Sequence, residues 1–103
     1  MKLLIILSIE ELTKDVRALL KEEGVPVYSE TKVHGFNTQT HKPDISNWFS
    51  SDSVERFSTL FFSFLSEAAV ERVLSAVKTF NEENESNQNY PLHAFQLNVE
   101  ASV

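Results

Sequence analysis

Apolar residues in this chain switch between two periods. Residues 2–8 carry an apolar run, Leu3-Leu4-Ile5-Ile6-Leu7, with greasy side chains on both parities. Such a run predicts a strand in the middle of a sheet. Ser8-Ile9-Glu10-Glu11 then has capping-box spacing, a hydroxyl followed three residues on by a carboxylate. Leu12, Val16, Leu19 and Leu20 share one helical face, and Gly24 supplies a left-handed stop. The first helix is therefore expected over residues 9–23. Val25, Val27, Ser29, Thr31 and Val33 alternate with Pro26, Tyr28, Glu30, Lys32 and His34, which predicts a second strand with Pro26 at its start. Leu60-Phe61-Phe62-Ser63-Phe64 predicts a short aromatic third strand. Ser66 is placed to cap a second helix striped by Val70, Val73, Leu74 and Val77 and closed by Phe80. Residues 81–89 are polar and read as a connection. Phe95, Leu97, Val99 and Ala101 alternate with polar residues as a fourth strand.

The order β-α-β, long loop, β-α-β predicts one α+β domain over residues 1–103. It has a ferredoxin-like βαββαβ sandwich, with a four-stranded antiparallel sheet and both helices on one face. Two helices cover only one side of that sheet. The first strand is apolar on both sides, and Leu60, Phe61 and Phe62 are adjacent in the third. The uncovered face is therefore expected to be buried by self-association, in a closed ring.

Between the second and third strands the pattern dissolves into an irregular segment, about residues 37–56, rich in Asn, Thr, Ser and Asp. Long irregular segments in small domains are typically binding elements. Ile45, Trp48 and Phe49 are its apolar cluster, and aromatics at loop tips are frequent hot spots. Thr38, Thr40, Ile45, Trp48 and Phe49 are the expected partner-binding residues.

At 42% hydrophobic, the 103-residue chain can build a core. Its formal net charge of −6 argues against nucleic acid and against anionic membrane surfaces as partners. It has no cysteine, which excludes disulfides, thiolate metal sites and cysteine nucleophiles. The apolar N-terminal run is too short for a signal peptide or a membrane span, so a cytoplasmic protein without direct membrane insertion is expected. No catalytic motif appears, and no spacing fixes an acid–base pair, so the chain reads as non-enzymatic. A divalent metal would fall to His34 and His41, which flank the entrance of the irregular segment. His93 shares parity with Phe95 and Leu97 and reads as a partly buried strand residue.

The second strand runs into Val33-His34-Gly35-Phe36-Asn37-Thr38-Gln39. With the element order and the long segment that follows, this motif resembles the PII signal-transduction family. There a Val-x-Gly-Phe-Gly-x-x-Gln-like strand end precedes a flexible T-loop. The resemblance implies a homotrimer with its sheets facing inward and a regulator that docks its T-loop on a protein target, often a membrane transporter. It implies an adenine nucleotide in clefts between subunits, with Gly35, Phe36 and Gln39 as the effector-binding residues. The chain departs from the family at residues 82–89, where a Gly-rich, Lys-ended loop cradles phosphates. Here that stretch has neither residue and carries Glu82, Glu83 and Glu85, which repel a triphosphate. Two alternatives stand beside the regulator. One is a metal-responsive binding protein resembling divalent-cation tolerance factors and companions of heavy-metal efflux pumps. The other is a small-molecule-binding oligomeric module.

Overall fold

The computed structural model describes residues 1–36, 55–84 and 92–103. The elements run β1 (Lys2–Ile9), a 3₁₀ turn (Glu10–Leu12), α1 (Thr13–Glu22), β2 (Ser29–Phe36), β3 (Glu55–Leu65), α2 (Glu67–Asn84) and β4 (Leu92–Asn98). The four strands form one antiparallel sheet in the order β2-β3-β1-β4. This is the expected ferredoxin-like α+β architecture, with β1 and β3 central.

Side-chain alternation sorts the sheet into two faces. Leu4 and Ile6 of β1 and Phe61 of β3 are sealed against Val16 and Leu20 of α1 and Val70 and Val73 of α2. The helical spacing of these valines and leucines turns one stripe of each helix onto the sheet. Each such side chain contributes roughly 2 kcal/mol of burial. Among the described residues no helix lies on the opposite face. There Leu3 lies between Phe64 and Leu97, Ile5 between Phe62 and Phe95, and Leu7 between Leu60 and His93. Phe64, Phe95 and Leu97 are 55%, 47% and 48% exposed. Of the adjacent Leu60, Phe61 and Phe62, Phe61 points into the core. Strand alternation leaves Leu60, Phe62 and Phe64 outside.

Local chemistry moves several boundaries. The Ser8 capping box does not form, because β1 continues to Ile9 and holds Ser8 in the ladder opposite Thr59 and Leu92. Thr13 takes over at the turn: its hydroxyl donates to the Glu10 carbonyl (2.9 Å) and accepts from the Thr59 hydroxyl (2.7 Å). The α1 exit is a Schellman motif around Gly24, whose φ is 78°. Gly24 N–H donates to the Lys21 carbonyl and Val25 N–H to the Leu20 carbonyl. The Val25 amide is thus spent on the helix end and Pro26 has none, so β2 begins at Ser29 rather than Val25. Ser66 Oγ accepts from Ala69 N–H at 3.2 Å, capping α2 as its sequence predicts. α2 runs on to Asn84, past Phe80. β3 is much longer than its aromatic centre, and β4 stops at Asn98, opposite Lys2.

Candidate functional site

β2 and β3 remain paired as far as Phe36 opposite Glu55, with Gly35 opposite Arg56 and His34 opposite Phe57. This stem fixes both ends of residues 37–54. It outruns the helix layer. Thr59 and Phe61 are buried beneath the helices, whereas Phe57, two residues earlier on the same face, is 55% exposed and Phe36 is 58% exposed. Gly35 lies within β2, one residue before its end.

An aromatic cluster occupies the uncovered stem. The His34 and Phe57 rings stack, with centroids 4.3 Å apart and planes 15° from parallel, and the Phe36 ring lies 4.6 Å from His34. His34 and Phe36 share a face because they are two residues apart in a strand. Cross-strand register then delivers Phe57. Sequence reading singled out His34 and Phe36 but not Phe57, whose signal was its parity with Thr59 and Phe61.

Below the cluster β2 is clamped by charge. Arg17 of α1 donates from Nε and Nη2 to the two Glu30 oxygens at 2.9 and 2.6 Å. The hydrogen bond and the opposite charge hold the Glu30 carboxyl below the usual carboxylate range and raise the Arg17 guanidinium. Lys32 Nζ lies 3.1 Å from Glu10 Oε2. The middle of β2 is thus tied to α1 and the 3₁₀ turn, while its tip stands clear of both.

His41 and Gln39, and with them Thr38, Thr40, Ile45, Trp48 and Phe49, lie outside the described residues. The site they form with His34, Gly35 and Phe36 stays an expectation. Among the described residues no group of three His, Asp or Glu side chains is placed to hold a metal. His93 is half-buried on the open sheet face beside Leu7, as its parity predicts, and burial lowers its pKa. A cleft of about 960 Å³ runs between α1 and α2, lined among others by Asp15, Glu22, Glu71, Arg72 and Glu83. That rim is predominantly anionic and does not suit a phosphate. Glu82 and Glu83 are exposed at the end of α2, where the phosphate-cradling loop would begin. Among the described residues, the side chains at this cleft and at the end of α2 do not fit a nucleotide polyphosphate.

No family model matches the sequence, and no curated protein does. The fold does match solved structures. A crystal structure described as that of a PII-like signaling protein from Thermus thermophilus superposes with a TM-score of 0.60 at 20% identity, covering 95% of this chain and 85% of that one. The chain has a PII-like fold.

Proposed function

We propose that this protein is a non-enzymatic, PII-like regulator that assembles as a homotrimer through its open sheet face. It presents residues 37–54 to a protein partner, a transporter at the cytoplasmic side of a membrane. What supports this reading most is the paired stem, which holds both ends of that segment beyond the helix layer. The second support is the apolar face, too greasy to be left in water. Recognition and assembly thus fall on separate surfaces. A small effector biases the segment between states, and only one state fits the target. Among the described residues no helix is long and apolar enough to cross a membrane, so the reading places membrane contact in the partner.

Co-sedimentation with native membrane vesicles tests the docking step. The intact chain is expected to pellet with the vesicles, and a variant lacking residues 40–54 is expected to stay in the supernatant with its assembled mass unchanged. Equal pelleting of the two would sink the docking role. A thermal-shift panel of ATP, ADP, AMP, cyclic nucleotides and divalent metals identifies the effector class, because a ligand of the native state raises its apparent stability.

A further inference from the structure

The two edges of the sheet are built differently. β2 is guarded: Glu30 and Lys32 lie along it, each held in an ion pair. β4, with the sequence Leu-His-Ala-Phe-Gln-Leu-Asn, has no Lys, Arg, Asp, Glu or Pro. Charges and prolines are the usual protection of an exposed edge, and a strand without them is a template for another strand.

Hydrogen bonds show which β4 groups face outward. Val99 N–H donates to the Met1 carbonyl, so the odd-numbered residues address β1. Leu92 addresses the other side: the Asn81 side chain accepts from Leu92 N–H and donates to Leu92 C=O, both at 3.0 Å. In an antiparallel ladder the bonding direction alternates residue by residue. The N–H and C=O groups of Ala94, Gln96 and Asn98 therefore point to the free edge, and among the described residues no partner meets them. Asn81 closes the first rung and leaves these open. Beside them lies a groove of about 470 Å³ between α2 and β4, lined among others by the apolar Leu74, Val77, Leu92 and Ala94 and by the charged Lys78 and Glu82.

Residues 99–103 follow β4 without belonging to a strand. Val99, Ala101 and Val103 continue the alternation of Phe95 and Leu97, yet β4 ends at Asn98 and among the described residues no strand pairs with residues 100–103. Glu100, Ala101, Ser102 and Val103 are exposed. We propose that residues 99–103 of one copy add as a strand to the β4 edge of a second copy, pairing with Ala94, Gln96 and Asn98. The apolar side chains of Val99, Ala101 and Val103 enter the groove beside Leu74 and Val77. The contact is head-to-tail, and it forms a closed ring where the rotation relating successive copies returns to the first. It adjoins the exposed Phe95 and Leu97 and is continuous with the apolar face. The inference rests on the self-association proposed above and names the backbone contact that fixes its geometry.

Amide hydrogen exchange across a protein concentration series, with light scattering on the same samples, tests it. In the intact chain the Ala94, Gln96 and Asn98 amides are expected to slow by about tenfold or more as the protein assembles. They are expected to stay fast in a chain ending at Asn98. Gln96→Pro removes one outward N–H without touching a β1 bond, and is expected to leave Ala94 and Asn98 fast as well. If the intact chain assembles while these amides exchange as freely as in dilute solution, strand addition is wrong and self-association stands. Protection that survives removal of 99–103 would assign the edge to a different segment and overturn the proposal. A chain that is monomeric at every concentration removes both readings.

Discussion

The imidazole of His34 lies flat over the ring of Phe57, centroids 4.3 Å apart, two rungs inside the last pair of the β2–β3 ladder. The two residues are far apart in sequence and directly opposed in register. Their contact locks the stem just before residues 37–54 begin. Replacing either ring with alanine is expected to cost about 0.5–1 kcal/mol in urea unfolding, with the double variant less than additive. Faster amide exchange should be confined to residues 33–36 and 55–58. Fully additive losses would show that the rings do not support one another.

The two faces of β3 predict opposite phenotypes for neighbouring phenylalanines. Phe61 is sealed in the core at 1% exposure and Phe64 stands 55% exposed on the open face. Phe61→Ala is expected to destabilise the fold by about 3–5 kcal/mol. Phe64→Asp is expected to leave the far-ultraviolet spectrum unchanged and to weaken self-association sharply. Chemical denaturation and sedimentation velocity separate the two effects.

Much of this was legible beforehand. Two-fold and 3.6-fold apolar periods placed every strand and helix, and Gly24 and Ser66 act as helix stop and cap as their chemistry dictates. The misses have local causes. Ser8 has the right spacing for a cap, but pairing with β3 and β4 keeps the strand going. Val25 reads as strand until its amide is claimed by the Leu20 carbonyl. Phe61 and Phe62 look alike in a run of aromatics, and only the register with β1 decides which enters the core. The motif residues Val33 to Phe36 form the end of β2. Phe57 was missed because its partnership with His34 spans strands whose register the sequence does not state. Asn81 was missed for the same reason, its partner being Leu92 at the start of β4.

Asn81 meets both backbone groups of the buried Leu92. Asn81→Leu leaves the Leu92 N–H and C=O without those partners, at an expected cost of about 2 kcal/mol. Asn81→Asp keeps the acceptor for the Leu92 N–H but loses the donor to its C=O, so it should fall between the two. If Asn81→Leu melts with the parent, the bidentate contact contributes nothing.

At Gly24 a side chain would meet nothing within 4 Å, so the cost of Gly24→Ala is backbone strain alone at φ 78°. About 1–2 kcal/mol of destabilisation is expected in denaturant unfolding. Gly24→Asn, which tolerates the left-handed region, should lose less.

His93 gives a pH dependence with a definite sign. Burial disfavours its charged form, so its folded pKa lies below the ordinary imidazole value of about 6.5. Above that value both states are neutral and the residue has no pH effect. As pH falls below it, the unfolded chain protonates first and stability drops, levelling once the folded pKa is passed. His93→Gln is expected to flatten this part of the pH–stability curve, measured as melting temperature between about pH 7 and pH 4. An unchanged slope would show that other groups carry it.

Multi-angle light scattering on the purified chain bears most directly on the central claim, that the open sheet face joins copies and frees the β2–β3 stem for recognition. The account predicts a single species with the mass of three 11.7 kDa chains, reverting toward one chain in Phe64→Asp. A monodisperse 11.7 kDa species at every concentration would contradict it.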